Sequence, residues 1–354
     1  MIRPRFLYLL LVITSLSLPA CESDDPAFLE DVLYVRRNGA DMPAYIYGNG
    51  ASNTFVILLH GGPGGSGLEY RFGQYAADLE ERYAMVYLDQ RGQGMAQGNY
   101  SVPDVTIDEM VEDVRALALT LRHKYGDNIS LFLMGHSWGG TLGSAVMVTQ
   151  DYQNLFRGWI EVDGAHDLPL VYSAGIRLFQ TIGTQQIAAG NSVDFWQEIL
   201  DSVNLMNPDP AFALDDDILY LNQKGFEAEG ELNSAGVLND SDFSGFDQQL
   251  TNSLVYNNAL TAWWSGNITN GRLTEAGLEQ YSATPLLNRI TTPTLLLWGK
   301  YDFVVSPELG ESALAQLGST DKQLIIFDYS GHSPMDTEPD LFVTSVVSFV
   351  DRYR

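Results

Sequence analysis

Short, strongly apolar runs recur along the chain, at Phe55–Leu59, Ala84–Leu88, Ile129–Met134 and Trp159–Val162, and stretches of helical period lie between them: Leu68–Arg82, Ile107–Tyr125 and Trp138–Gln150. Runs of four to six residues without polar alternation fit strands buried on both faces, and helices between them supply the crossovers of a parallel sheet. Ahead of this pattern, Leu33–Arg37 and Ala44–Tyr47 flank the turn signal Asn38-Gly39, so an antiparallel pair is expected at one sheet edge. From about His166 to Leu287 the alternation stops. It resumes with Thr294–Trp298, a helix near Pro307–Leu317, Gln323–Phe327 and a closing helix from Pro339. One α/β domain built from residues 30–165 and 285–354 is therefore expected, with residues 166–284 inserted as a cap over the strand ends.

The N-terminus reads as a leader. Arg3 and Arg5 precede an apolar run from Phe6 to Leu18, which is shorter than the roughly 20 residues a spanning helix needs. Leu18-Pro19-Ala20-Cys21 resembles a bacterial lipobox, and Cys21 is the only cysteine in the chain. Residues 1–20 are expected to be a lipoprotein signal and Cys21 the lipidated residue, with 21–29 an acidic tether to a membrane. The formal charge of −26 becomes −28 once residues 1–20, with their two arginines and no acid, are removed. Such a surface repels phosphate backbones, so nucleic acid is excluded as a partner.

Gly135-His136-Ser137-Trp138-Gly139 matches Gly-x-Ser-x-Gly between a strand and a helix. A serine on so sharp a strand-to-helix turn needs glycines two positions away to let the backbones pass, and this makes Ser137 the expected nucleophile. Of the five histidines, His332 follows the last strand at its carboxyl end, where the base belongs. His123 sits on a polar helix face, and His166 follows the sixth strand and could line the cleft. Asp302, just beyond the seventh strand, is the expected acid; Asp328 and Asp336 are the alternatives. The order Ser137, Asp302, His332 is that of the α/β-hydrolase fold. Two N–H groups should face the oxyanion. One belongs to Trp138 and the other, from Gly62, to the loop His60-Gly61-Gly62-Pro63-Gly64-Gly65, whose Gly61, Pro63 and Gly64 should border the substrate.

Asp240-Ser-Asp242-Phe-Ser244-Gly245 begins like a calcium loop but has Thr251 where the bidentate glutamate is needed. Five scattered histidines and one cysteine support no zinc site, and the chemistry needs no cofactor. A serine at the elbow also argues against dehalogenases and epoxide hydrolases, which use an aspartate there.

His60-Gly-Gly-Pro-Gly64, Asp89-Gln-Arg-Gly-Gln-Gly94, Gly135-His-Ser-Trp-Gly-Gly-Thr-Leu142, Gly299-Lys-Tyr-Asp302 and Gly331-His-Ser333 together resemble the proline iminopeptidase (prolyl aminopeptidase) family over residues 30–165 and 285–354. The resemblance implies a Ser-Asp-His exopeptidase that removes an N-terminal residue, often proline, from short peptides, and a mainly architectural role for Asp89–Gly92. The chain departs from that pattern at His136, where the family commonly has glycine, and in the cap. There Trp196, Trp263 and Trp264 occur without the family's Trp-x-x-Trp-Glu element. Glu198, Asp215–Asp217, Glu227, Glu229 and Glu231 are the candidate carboxylates for a substrate amino group. An esterase, lactonase or amidase on the same scaffold is the alternative, and a ligand-binding surface lipoprotein with a dead site is a third reading. The substrate expected is a small peptide or ester.

Overall fold

The computed structural model describes residues 27–99, 101–242, 244 and 259–354. The leader, Cys21 and the side chains of Trp263 and Trp264 lie outside the described residues, as does most of the calcium-like loop beyond Asp242. Among the described residues, nine strands form one sheet in the order β1-β2-β4-β3-β6-β7-β8-β9, with the short β5 (Gln97–Gly98) paired to β2. β1 (Phe28–Arg37) and β2 (Ala40–Asn49) form the expected edge hairpin, and β2 runs antiparallel to β4 (Ala84–Leu88). β5 also lies antiparallel to β2, and the other neighbours are parallel: β3 (Thr54–Leu59), β6 (Ser130–His136), β7 (Gly158–Val162), β8 (Thr294–Gly299) and β9 (Lys322–Phe327).

The sheet is buried on both faces, as its apolar runs require. Phe55, Ile57 and Leu59 of β3 enter one core layer with Leu131 and Leu133 of β6. Their neighbours Val56, Leu58, Phe132 and Met134 enter the layer opposite. Residues 28 and 29, expected in the tether, belong to the sheet instead. Leu29 pairs with Gly48 and packs on the core, so the hairpin gains burial by extending backward.

The chain leaves β3 toward β4 on one side and returns to β6 on the other. Beyond the carboxyl ends of β3 and β6 the connections diverge, which opens a crevice at the switch point. The register sets Leu59 beside Gly135, and His136 beside Val162, so the loops after these strands share one rim.

Between β7 and β8 come α4 (Leu168–Ala189), α5 (Val193–Val203), α6 (Asp215–Ser234) and α7 (Ala259–Glu275). They carry a core of their own, with Phe179, Trp196, Ile199 and Leu232 fully buried. Phe303, from the loop after β8, inserts into it, 4.7 Å from the Phe179 ring and 5.7 Å from Trp196. Trp196 is therefore a packing residue. No helix among the described residues is long and apolar enough to cross a membrane.

Candidate active site

Ser137 joins β6 to α3 (Trp138–Val148) with φ 57° and ψ −120°, a conformation few L-residues adopt. The turn survives because its flanks are bare. A Cβ on Gly135 would lie 2.2 Å from the Gly139 carbonyl oxygen, and one on Gly139 would lie 2.0 Å from that of Leu59. The strained turn is held by Ser137 N–H, which donates to Val162 O, and by Ser137 O, which accepts from Gly140 and Ala165.

The structure brings Ser137, His332 and Asp302 into one hydrogen-bonded row. His332 Nε2 is 2.9 Å from Ser137 Oγ, and His332 Nδ1 is 2.9 Å from Asp302 Oδ2. Asp302 Oδ1 accepts the N–H groups of Val304 and Val305, which fixes the carboxylate from behind. Burial alone would push the His332 imidazole down. The charge and hydrogen bond of Asp302, and then Glu229, outweigh it and hold His332 above its ordinary value.

The alternatives fall elsewhere. Asp328 is exposed and pairs with Lys300 at 2.8 Å. The Asp336 carboxyl is pushed up to about 7 by burial and by Asp242, and the imidazole Nδ1 is engaged by Asp302 instead. His123 is exposed, and His166 is fully buried with Nδ1 at 2.7 Å from Glu161, outside the cleft lining.

A cleft of about 500 Å³ opens above Ser137, and Gly61, Gly62, Pro63 and Trp138 line it. The Gly61 N–H is already given to Tyr70 Oη at 2.8 Å, and that of Gly64 to Gln93 Oε1 at 2.6 Å. Gly64 is not among the residues lining the cleft, whereas Gly62 and Trp138 line it beside Ser137. The loop Asp89–Gly92 is a brace. Gln90 accepts the Trp138 indole N–H at 2.7 Å and donates to His60 O at 3.0 Å, and Arg91 is buried against Asp113 at 2.7 Å.

His136, the departure from the glycine pattern, has a structural role. Its Nε2 donates to the backbone carbonyl of His332 at 2.7 Å, and its Nδ1 accepts from Tyr70 Oη at 2.6 Å. Burial, with His332 adding to it, lowers its pKa to about 3, so the ring stays neutral and this donor and acceptor assignment holds. One relay thus ties the glycine loop, the elbow and the His332 loop together. Nothing in the sequence marks Tyr70 for this.

Two buried carboxyls stand around His332. Asp163, after β7, accepts Gly299 N–H at 2.9 Å and is raised well above the carboxylate range by burial and by Asp302. Glu229, on α6, accepts the backbone N–H of His332 at 3.0 Å, and its carboxyl is enclosed. Burial and then Asp302 push Glu229 up to about 8. Ligand atoms of His136, Asp163 and His332 lie within 4.8 Å of one another, but all four imidazole nitrogens are already engaged by the bonds above.

The other cap carboxylates serve structure. Glu198 and Glu227 pair with Lys224 at 3.5 and 2.7 Å, Glu231 accepts from Ser192, and Asp215–Asp217 occupy the first turn of α6, where acids favour the helix dipole. None of the described residues lining the cleft carries a carboxylate.

Comparison with known proteins bears on the fold and the family. The sequence profile described as "Alpha/beta hydrolase family" matches residues 56–345. A proline iminopeptidase of Saccharolobus solfataricus is 26% identical over 333 residues, covering 90% of this chain and 92% of that protein. The probable aminopeptidase YbaC of Bacillus subtilis is 25% identical, covering 85% and 90%. The crystal structure of the proline iminopeptidase-related protein TTHA1809 from Thermus thermophilus superposes with a TM-score of 0.60 at 18% identity, over 92% of this chain and 98% of that one. The chain belongs to the alpha/beta hydrolase family.

Proposed function

We propose that this protein is a serine hydrolase of carboxylic acyl bonds, carried by the row Ser137–His332–Asp302. Ser137 Oγ attacks the acyl carbon while His332 Nε2 takes its proton. The N–H groups of Gly62 and Trp138 stabilise the oxyanion, and His332 returns the proton to the leaving nitrogen or oxygen. Water, deprotonated by His332, then releases the acid from Ser137. The substrate class we infer first is the N-terminal aminoacyl bond of short peptides. Its support is the array of motifs shared with proline iminopeptidases and the similarity to that enzyme across most of both chains.

Ester or amide hydrolysis is the second reading, and one observation favours it. A buried ammonium needs a charged partner, and the described cleft lining offers no carboxylate. The deciding measurement is kcat/KM for prolyl-naphthylamide, its N-acetyl form and a short acyl ester. An aminopeptidase loses several orders of magnitude on acetylation, because a site built for a polar group rejects analogues lacking it. Equal rates on the first two, or preference for the ester, would sink that reading. Ser137→Ala should lower kcat by up to about 10⁶ and abolish fluorophosphonate labelling. Retention of more than a hundredth of the activity would refute the nucleophile itself. For location, we propose export and anchoring through Cys21.

A further inference from the structure

A second hollow, of about 330 Å³, adjoins the cleft above Ser137. The two share Leu168, Val171, Asn222 and Val304 as common wall. Farther in, the chamber runs between Tyr172 and Gly175 of α4 and Ile218 and Leu221 of α6. Gly175 is buried, yet among the described residues a Cβ built on it would meet no heavy atom within 4 Å beyond its chain neighbours and the backbone of its own helix. Protein interiors pack to the density of organic crystals, so a buried helix face without neighbours marks space kept for something else. The walls are mostly aliphatic or aromatic, and among the described residues half-buried Glu279 is the one charged side chain lining them. An apolar hollow of this kind holds hydrocarbon better than water.

We propose that this chamber receives an aliphatic arm of the substrate's acyl group, several carbons long; this rests on the serine-hydrolase reading above. The acyl side is favoured because the leaving group must depart before water can enter, whereas the acyl arm stays bound through both half-reactions. A prolyl ring held at Ser137 would leave the chamber empty. The preferred substrate is therefore longer and more aliphatic than an acetyl or prolyl group. The arm is either an alkanoyl chain or the side chain of an N-terminal residue such as leucine or norleucine.

The test compares p-nitrophenyl acetate, butyrate, hexanoate and octanoate, and alanyl, norleucyl and prolyl p-nitroanilides, on the wild type and on Gly175→Leu. Leucine suits a helix better than glycine and its side chain would fill the hollow. In the wild type, kcat/KM should rise about fourfold per methylene in at least one series until the chamber is full. In Gly175→Leu the longest-to-shortest ratio should fall at least tenfold. A rise along the esters alone identifies an alkanoyl chain, and a rise along the anilides alone identifies a residue side chain. Ala213→Phe, on a loop at the opposite wall, replaces Gly175→Leu if that variant does not fold. Flat series in the wild type, or a profile unchanged by a folded filling variant, would overturn the proposal. Calorimetry on Ser137→Ala separates the chamber from the nucleophile. Octanoate should bind at least tenfold more tightly than acetate there, and equal affinities would overturn the chamber. Turnover persisting in Ser137→Ala would overturn the hydrolase reading while leaving the chamber's preference measurable.

Discussion

Glu229 on the inserted helix α6 accepts the backbone N–H of His332 at 3.0 Å, while His136 donates to the carbonyl of the same residue at 2.7 Å. Both backbone polar groups of His332 are thus held by side chains from other elements, which helps to aim the imidazole at Ser137.

Replacing Glu229 separates these effects. Glu229→Gln keeps an acceptor for the N–H and should retain most activity. Glu229→Ala leaves the N–H buried and unpaired, at a cost of about 1–3 kcal/mol, and should lower kcat at least tenfold. The carboxyl, pushed up to about 8, holds a proton in the folded chain that the unfolded chain releases near its ordinary value. Its contribution to stability is therefore complete below that ordinary value and is lost as pH rises through about 8. Urea unfolding from pH 5 to 9 should show the wild type weakening relative to Glu229→Gln across that window; parallel curves would refute this.

His332 must be neutral to act as base, and Asp302 holds it above its ordinary value despite burial. The acid limb of kcat/KM against pH should consequently fall above the usual histidine value of about 6.5. Asp302→Asn should lower kcat by about 10³–10⁴ and shift that limb to lower pH. A limb that stays in place in this variant would mean another group titrates.

Phe303 follows Asp302 directly and is buried in the core of the insertion, between Phe179 and Trp196. Phe303→Ala should cost about 3–5 kcal/mol in denaturant unfolding. It should also lower kcat in the protein that remains folded, because the loop carrying Asp302 loses its anchor. Full kcat in a destabilised variant would show that the insertion does not position the acid.

With Cys21 as the anchor, the wild type expressed in the native host should partition into the detergent phase, and Cys21→Ser should lack lipid and leave that phase. Unchanged partitioning in the variant would point to an ordinary signal or an uncleaved anchor.

By itself the sequence determined the parallel sheet and the candidates Ser137, Asp302 and His332, because each obeys a local rule. Strands buried on both faces must be apolar throughout, and an elbow with Ser137 at φ 57° tolerates only bare backbone at Gly135 and Gly139. Residues at strand ends inherit their place from chain order. Tertiary structure alone decided the roles of Glu229, His136 and Tyr70. Glu229 is one acid among several on α6 and meets His332 across 103 residues, so no spacing rule distinguishes it from Glu227 or Glu231. The relay through Tyr70 spans 66 residues and forms only when the glycine loop folds back over the elbow. The chamber beside Gly175 is likewise invisible in the sequence. A glycine in a helix signals neither a close contact nor an open space until the facing helix is in place, and here the facing helix leaves room.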